Sequence, residues 1–203
     1  MVQDQTALVL RPGLCLRHQA AWLRSADALL EQLLQHIRWR QESIQVFGRR
    51  HPLPRLTCWM ADPGYRYRYS GLEQTPDPWL PELDALREQL ARLCGHPLNS
   101  LLLNLYRDGG DAMGCHADDE PDLDPQATIA SISLGASRTL RFKPKSRSSL
   151  AAGSAPLSLE LGHGDLLLMD LPTQLHWLHG LPKRRRVHNP RINLTFRRLR
   201  APD

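Results

Sequence analysis

Residues Arg191 to Arg197 read Arg-Ile-Asn-Leu-Thr-Phe-Arg, a strict alternation of polar and apolar side chains. Successive strand residues point to opposite faces, so Ile192, Leu194 and Phe196 share one face and Arg191, Asn193, Thr195 and Arg197 the other. The apolar face needs a packed layer against it. The polar face carries two guanidinium groups, which are costly to bury without an anion. A fold that accepts this strand must therefore enclose an anionic partner, and a guanidinium fork grips a carboxylate through two parallel hydrogen bonds. His116-Ala117-Asp118 suggests what lies beside that anion. On an extended segment the imidazole and the carboxylate face the same way, and a distant histidine can close the triangle. That is the facial arrangement of two histidines and one carboxylate whose open positions suit non-haem Fe(II) and oxygen chemistry. Alone, His-x-Asp equally fits an acidic surface loop, since Asp119, Glu120, Asp122 and Asp124 follow. The arginine strand favours the metal, because a dicarboxylic acid co-substrate beside iron would satisfy both guanidinium groups. Four histidines could supply the third ligand. His163 sits in a glycine turn, His188 precedes Asn189-Pro190, and His176 and His179 would face opposite ways on a regular strand.

The 203 residues suffice for one domain, residues 1–203, with a sizeable core. Lys and Arg outnumber Asp and Glu by 26 to 21, a net charge of +5, which leans weakly toward an anionic partner such as nucleic acid. Cys15, Cys58, Cys94 and Cys115 show no C-x-x-C spacing, which argues against a zinc ribbon or thioredoxin motif. Scattered single cysteines fit reduced thiols in a cytoplasmic protein, nucleoid-associated if the source is bacterial. No apolar run approaches the roughly 20 residues of a membrane span, and no basic start leads into an apolar stretch, so neither a membrane partner nor a signal peptide is expected.

Along the chain, the first dozen residues read as a short arm broken at Arg11-Pro12-Gly13. Ala20 to Trp39 carries a helical apolar stripe, and Pro78 to Cys94 a second one stopped by Gly95. Ile44 to Pro54 reads as a hairpin or extended loop with Gly48 at the turn. Trp59 to Ser70 reads as a strand in which Tyr65, Tyr67 and Tyr69 alternate with Arg66 and Arg68. Short strands are expected at Leu101–Tyr106, Ile129–Leu134, Thr139–Phe142, Leu157–Leu161, Asp165–Met169, Gln174–Leu178 and Arg191–Arg198, separated by Gly-rich turns. The Ser/Gly-rich stretch Lys145–Ala155 reads as a mobile loop. The fold class is mainly β with flanking helices (α+β), a sandwich or jelly roll.

His116-Ala117-Asp118-Asp119-Glu120 and the Arg191–Arg197 strand resemble the metal and 2-oxoglutarate signatures of the AlkB family of Fe(II)- and 2-oxoglutarate-dependent nucleic-acid dealkylases. The resemblance runs from about Ser43 to Leu199. Val46-Phe47-Gly48, Tyr67 to Gly71, Asn104-Leu105-Tyr106 and Leu181-Pro182 with its basic run resemble the member acting on double-stranded DNA. The resemblance implies a double-stranded β-helix (jelly roll) over about 100–199 and N-terminal helices with a nucleotide-recognition lid over about 1–95. It implies a monomeric dioxygenase using Fe(II), 2-oxoglutarate and O2, with His116, Asp118 and His179 as ligands and His176 as the fallback.

Asn104 and Tyr106 share one strand face, and the resemblance gives them, with Arg191, Asn193 and Arg197, to 2-oxoglutarate: Arg197 at its distal carboxylate, Arg191 at the metal end. It implies oxidative dealkylation of bases such as 1-methyladenine and 3-methylcytosine in duplex DNA. A damaged base must leave the stack to reach iron. Tyr67 and Tyr69 resemble the family's pocket aromatics, with core packing the alternative for both, and Asp119 and Glu120 would lie near the flipped base. Phe47 resembles a wedge that fills the hole left in the duplex, where apolar side chains serve other DNA-bending proteins. Lys183-Arg184-Arg185-Arg186 would otherwise be a solvated loop. Between a ligand and the arginine strand it should border the active-site mouth and meet phosphates, with Arg184, Arg185 and Arg186 the expected partners. The alternatives are the same chemistry on single strands or RNA, a protein or small-molecule hydroxylase of the same fold, and a cupin-like binding module without turnover.

Overall fold

The computed structural model describes residues 6–46, 48–65, 67–69 and 72–201, and for Val46, Tyr67–Tyr69 and Leu72–Gln74 the backbone alone. In chain order the elements are β1 (Ala7–Arg11), β2 (Leu14–Gln19), α1 (Ala26–His36), β3 (Ser43–Val46), β4 (Arg49–Pro52), β5 (Leu56–Ala61), β6 (Tyr67–Tyr69), β7 (Leu72–Gln74) and α2 (Pro81–Cys94). There follow β8 (Ser100–Tyr106), β9 (Met113–His116), β10 (Ile129–Gly135), β11 (Arg138–Pro144), β12 (Leu157–Leu161), β13 (Leu166–Asp170), α3 (Thr173–His176), β14 (Trp177–Leu181) and β15 (Arg191–Arg197). A larger sheet runs β1-β2-β13-β10-β15-β8-β5 and a smaller one β12-β11-β14-β9, while β3-β4 and β6-β7 are separate hairpins. Every ladder is antiparallel. This is the jelly roll expected from the short-strand pattern.

Period 2 on β15 decides the layering. Ile192, Leu194 and Phe196 pack with Leu101, Leu103 and Leu105 of β8 and Ala130, Ile132 and Leu134 of β10 beneath α1 and α2. Each such fully buried large side chain contributes roughly 1.5–3 kcal/mol by leaving water. The opposite face of the larger sheet turns toward the smaller one. There Leu14, Leu16, Ile129, Leu167 and Met169 meet Leu140, Phe142, Leu161, Trp177 and Leu181 in a second apolar cluster. The polar face of β15 lies in this inter-sheet space.

Five expectations change. The first dozen residues are not an arm. β1 and β2 form a hairpin around Pro12-Gly13, with Gly13 at φ +73, and β2 pairs with β13 inside the larger sheet. Leu14 and Leu16 are buried there, so the alternation that was too short to stand out is what places the strand. The first helix spans only Ala26–His36, because residues before it wrap the 162–165 turn: Leu23 N–H donates to Gly164 O at 3.0 Å and Ala21 N–H to Asp165 Oδ1 at 2.8 Å. The second starts at Pro81 rather than Pro78, with proline at a first-turn position where its missing N–H costs nothing. The Trp59–Ser70 strand is two strands, interrupted by Asp62-Pro63-Gly64 with Gly64 at φ +90. Gln174 to Leu178 is not a strand either: residues 173–176 make one helical turn and the strand is Trp177–Leu181.

Candidate active site

β14 pairs with β9 so that His179 stands opposite His116, their ring centroids 4.4 Å apart. Asp118 follows just past the end of β9. Its Oδ1 lies 3.9 Å from His116 Nε2 and its Oδ2 lies 3.7 Å from His179 Nε2. One ligand atom from each residue falls within 4.8 Å of the other two, a spacing that can hold a single metal ion. His116 Nδ1 lies 3.0 Å from Gly114 O, which turns Nε2 toward the centre of the triangle. His176 is not part of it. The helical turn carries its ring to Ser148, with Nδ1 2.9 Å from Oγ.

Electrostatics prepares these groups for a cation. Burial pushes the His179 imidazolium pKa down to about 4, so the ring is neutral and able to ligate near neutral pH. Burial alone would raise Asp118, but Arg197, with His179 and His116 behind it, holds its carboxyl below the usual range. Arg197 Nη2 donates to Asp118 Oδ1. Two nitrogens and one carboxylate oxygen in a facial set suit Fe(II).

A chamber runs from the triangle along the polar face of β15, lined among others by Asn104, Tyr106, Leu140, Arg191, Asn193 and Thr195. At its far end Arg191 is fully buried, and burial drives its pKa down to about 10. Nη2 donates to Ser133 Oγ at 2.8 Å, while Nε and Nη1 are buried with no protein acceptor. The Arg191 guanidinium lies 5.5 Å from the centre of the Tyr106 ring and that of Arg138 5.9 Å from it. Two unmatched buried N–H groups call for an anion. A carboxylate there, with its other end at the metal, fits a dicarboxylic co-substrate.

The sequence profile of the 2OG-Fe(II) oxygenase superfamily matches residues 13–197. The chain belongs to that superfamily. Membership makes it a dioxygenase that uses Fe(II), 2-oxoglutarate and O2. The oxygenase is 42% identical over 176 residues to mouse DNA oxidative demethylase ALKBH2, covering 84% of this chain and 72% of that protein. Human ALKBH2 is 41% identical over 179 residues, 86% of this chain and 69% of that one. Mouse alpha-ketoglutarate-dependent dioxygenase alkB homolog 3 is 38% identical over 185 residues, 89% of this chain and 64% of that one. The solved structure of OsALKBH1 shares the fold at a TM-score of 0.60 and 17% identity, covering 95% of this chain and all of that one.

The expected order of the two arginines is reversed in the oxygenase. Arg197 meets Asp118 at the metal end, and Arg191 closes the far end of the chamber beside Tyr106. Register explains it: β15 runs antiparallel to β8, with Arg191 opposite Tyr106 and Arg197 opposite Ser100. Asn104 Oδ1 accepts from Arg55 Nε at 2.9 Å, and Asn193 Nδ2 donates to Ser131 Oγ at 2.9 Å, so both line the chamber as fixed polar groups.

A second cleft adjoins the triangle and shares His116, Asp118, Leu102, Met113 and Arg197 with the first. Its further walls are Glu42, Arg55, Thr57, Trp59, Ala117 and Glu120. Trp59 is buried and its Nε1 donates to Ser100 Oγ at 2.9 Å. Glu120 is in this lining, but Asp119 is not: its carboxylate pairs with Lys145 Nζ at 2.7 Å. Arg184 folds back to Glu160 at 2.9 Å and Thr139 Oγ1 at 3.0 Å, whereas Arg185 and Arg186 stay exposed. Phe47 lies outside the described residues, and Tyr67 and Tyr69 are described as backbone only, in β6. Sequence reasoning missed Glu42, Arg55, Thr57 and Trp59. The signal for three of them was present, since Arg55, Thr57 and Trp59 alternate with Leu56 and Cys58 as one strand face.

Proposed function

We propose that this oxygenase repairs DNA by oxidative removal of N-alkyl groups such as those of 1-methyladenine and 3-methylcytosine, and that it acts on duplex DNA in preference to single strands. The observation that carries the proposal is the second cleft. It joins the ligand triangle to a wall formed by Trp59 and flanked by the carboxylates Glu42 and Glu120. A flat, cationic, alkylated base fits such a lining, because an aromatic face stacks on it and carboxylates favour its charge. The relatives named as DNA oxidative demethylases support the same reading.

With Fe(II) and 2-oxoglutarate bound, the site would use O2 as the oxidant: one oxygen atom would go to the succinate formed with CO2 from the co-substrate and the other to the N-alkyl carbon, which would then leave as an aldehyde. The chain's own groups do the placing. His116, Asp118 and His179 hold the metal, and Arg197 holds Asp118. Arg191 and Tyr106 take the distal carboxylate, with Asn104 and Asn193 as neighbouring polar groups. Leu102 and Met113, common to both chambers, keep the two reactants apart except at the metal and exclude water there. Trp59 and Glu120 orient the base. Lys183, Arg185 and Arg186 meet phosphates, giving affinity and registry without sequence specificity. Duplex preference rests on the resemblance of Val46-Phe47-Gly48 to a base-replacing wedge and of Tyr67 and Tyr69 to pocket aromatics.

The test is turnover on matched methylated single- and double-stranded oligonucleotides with Fe(II), 2-oxoglutarate and ascorbate at one salt concentration. Phe47→Ala should impair the duplex reaction much more than the single-strand reaction. Equal losses on both would remove the wedge. Faster repair of single strands by the unaltered protein would make the single-strand reading the correct one.

A further inference from the structure

We infer that Gln174 is a positioning residue for the metal ligand Asp118. β9 ends at His116, so the N–H of Asp118 lies beyond the ladder and needs an acceptor from elsewhere. Gln174 Oε1 accepts it at 3.0 Å. Only the amide oxygen can accept from an N–H, which leaves the amide nitrogen pointing the other way, 3.4 Å from the sulfur of Met169 on β13. Gln174 belongs to α3, the single turn immediately ahead of β14 and His179. One side chain therefore ties the segment that carries Asp118 to the segment that carries His179.

The turn that presents Gln174 is held from behind by the N-terminal hairpin. The Thr173 hydroxyl accepts from Cys15 N–H and donates to Cys15 O, both at 3.0 Å, and Trp177 Nε1 donates to Pro12 O at 2.9 Å. Gly13 lies so close that a Cβ there would fall 2.7 Å from His176 Cβ. The acceptor for Asp118 thus stands on a rigid platform. Rigidity matters because Arg197 pulls on Oδ1 of the same aspartate. An aspartate gripped only through its carboxylate can swing with the cation that grips it. With its backbone pinned as well, Oδ2 stays facing His179. Groups that orient ligands in this way ordinarily govern metal affinity.

The inference rests on His116, Asp118 and His179 as the ligand set and is independent of the substrate. It is tested by equilibrium binding of Mn(II) to the metal-free full chain, without oxygen, co-substrate or DNA, for the unaltered protein, Gln174→Met, Gln174→Glu and Asp118→Ala. Gln174→Met keeps the shape and loses the acceptor; it should bind Mn(II) about 10- to 100-fold more weakly. Gln174 is half-buried, so the metal-free melting temperature of this variant should stay close to that of the unaltered protein. Gln174→Glu keeps an oxygen acceptor and should bind at least as well as the unaltered protein. Unchanged affinity in Gln174→Met overturns the inference, as does equal weakening in Gln174→Glu or a metal-free fold that collapses in both. Tight binding by Asp118→Ala would overturn the ligand set and the inference with it. A failure to dealkylate DNA would leave it standing.

Discussion

Arg191 and Arg197 are the same residue on the same face of one strand, yet they meet different chemistry. Arg197 is matched by a carboxylate of the protein, Asp118. Arg191 has Ser133 and leaves Nε and Nη1 for a ligand. Substitutions should separate them. Arg191→Ala should weaken 2-oxoglutarate binding by more than tenfold, on the order of the 2–5 kcal/mol lost when a buried charged pair is truncated, while Mn(II) binding in the absence of co-substrate stays near normal. Arg197→Ala should lower Mn(II) affinity itself, because Asp118 loses the cation that keeps it ionised and oriented. Titration calorimetry of both ligands against both variants checks this, and a loss of 2-oxoglutarate binding confined to Arg197→Ala would restore the order implied by the family resemblance. His179 adds a dependence on acidity. Its folded pKa, about 4, lies below the unfolded value of about 6.5. Its contribution is fully present above about pH 6.5 and is lost as pH falls toward the folded value, up to about 3 kcal/mol. The melting temperature of the metal-free protein should therefore fall over that window, and fall less in His179→Leu.

Among the elements, the loop after β14 shows how a charge run divides its labour. Arg184 is tied to Glu160 and Thr139, and the loop backbone is stitched to the 108–111 turn, with Arg184 N–H donating to Gly109 O and Gly109 N–H to Val187 O, both at 2.7 Å. Arg138, buried, adds hydrogen bonds to Asp111 O at 3.0 Å and Pro182 O at 2.8 Å. Arg185→Ala with Arg186→Ala should therefore weaken duplex binding and reduce the slope of log affinity against log salt by about one for each phosphate left without its cation. Arg184→Ala alone should leave that slope nearly unchanged; fluorescence anisotropy over a salt series distinguishes the two. Gly109→Ala should be the more damaging change, since a Cβ there would sit 1.8 Å from Arg184 O. A loss of about 1–3 kcal/mol in chemical denaturation is expected from such overpacking. These divisions were partly legible in the sequence. Alternation located β8, β10 and β15 within a residue or so, and residue types with spacing pointed to His116 and Asp118, whereas His179 was singled out only by the family resemblance. What could not be read was tertiary: that Asp119 turns to Lys145, that Arg184 folds back, and that His179 stands in a strand because Thr173–His176 makes a turn first. Each depends on a partner far away in the chain, which periodicity does not register.

For the whole molecule, carboxylates far from the metal set a second acid limit. Burial works against the ionised form of Asp170, but Arg17 and Thr128 outweigh it and hold its pKa below the usual range; Asp165 is held low in the same way by Ala21 and Gly162 N–H and by His18. A carboxyl whose folded pKa is depressed stabilises the fold above its unfolded value, about 4, and that support is lost as pH falls through the folded value. Asp170→Asn should thus destabilise the protein at neutral pH by about 1–3 kcal/mol and flatten the acid limb of its melting curve. The order of the larger sheet, β1-β2-β13-β10-β15-β8-β5, has a further consequence, in time rather than in energy. Only β1 and β2 are neighbours both in the sheet and in the chain. Each remaining ladder must close a long loop before it gains anything, so folding should be slow for a protein of this size. Residues 191–197 fill the gap between β10 and β8. Until they arrive, both strands offer bare edges on which another chain could template. The segment that would read the co-substrate is also the one that joins the two halves of the larger sheet, so a chain broken before Arg191 should aggregate rather than persist as a folded but inactive protein.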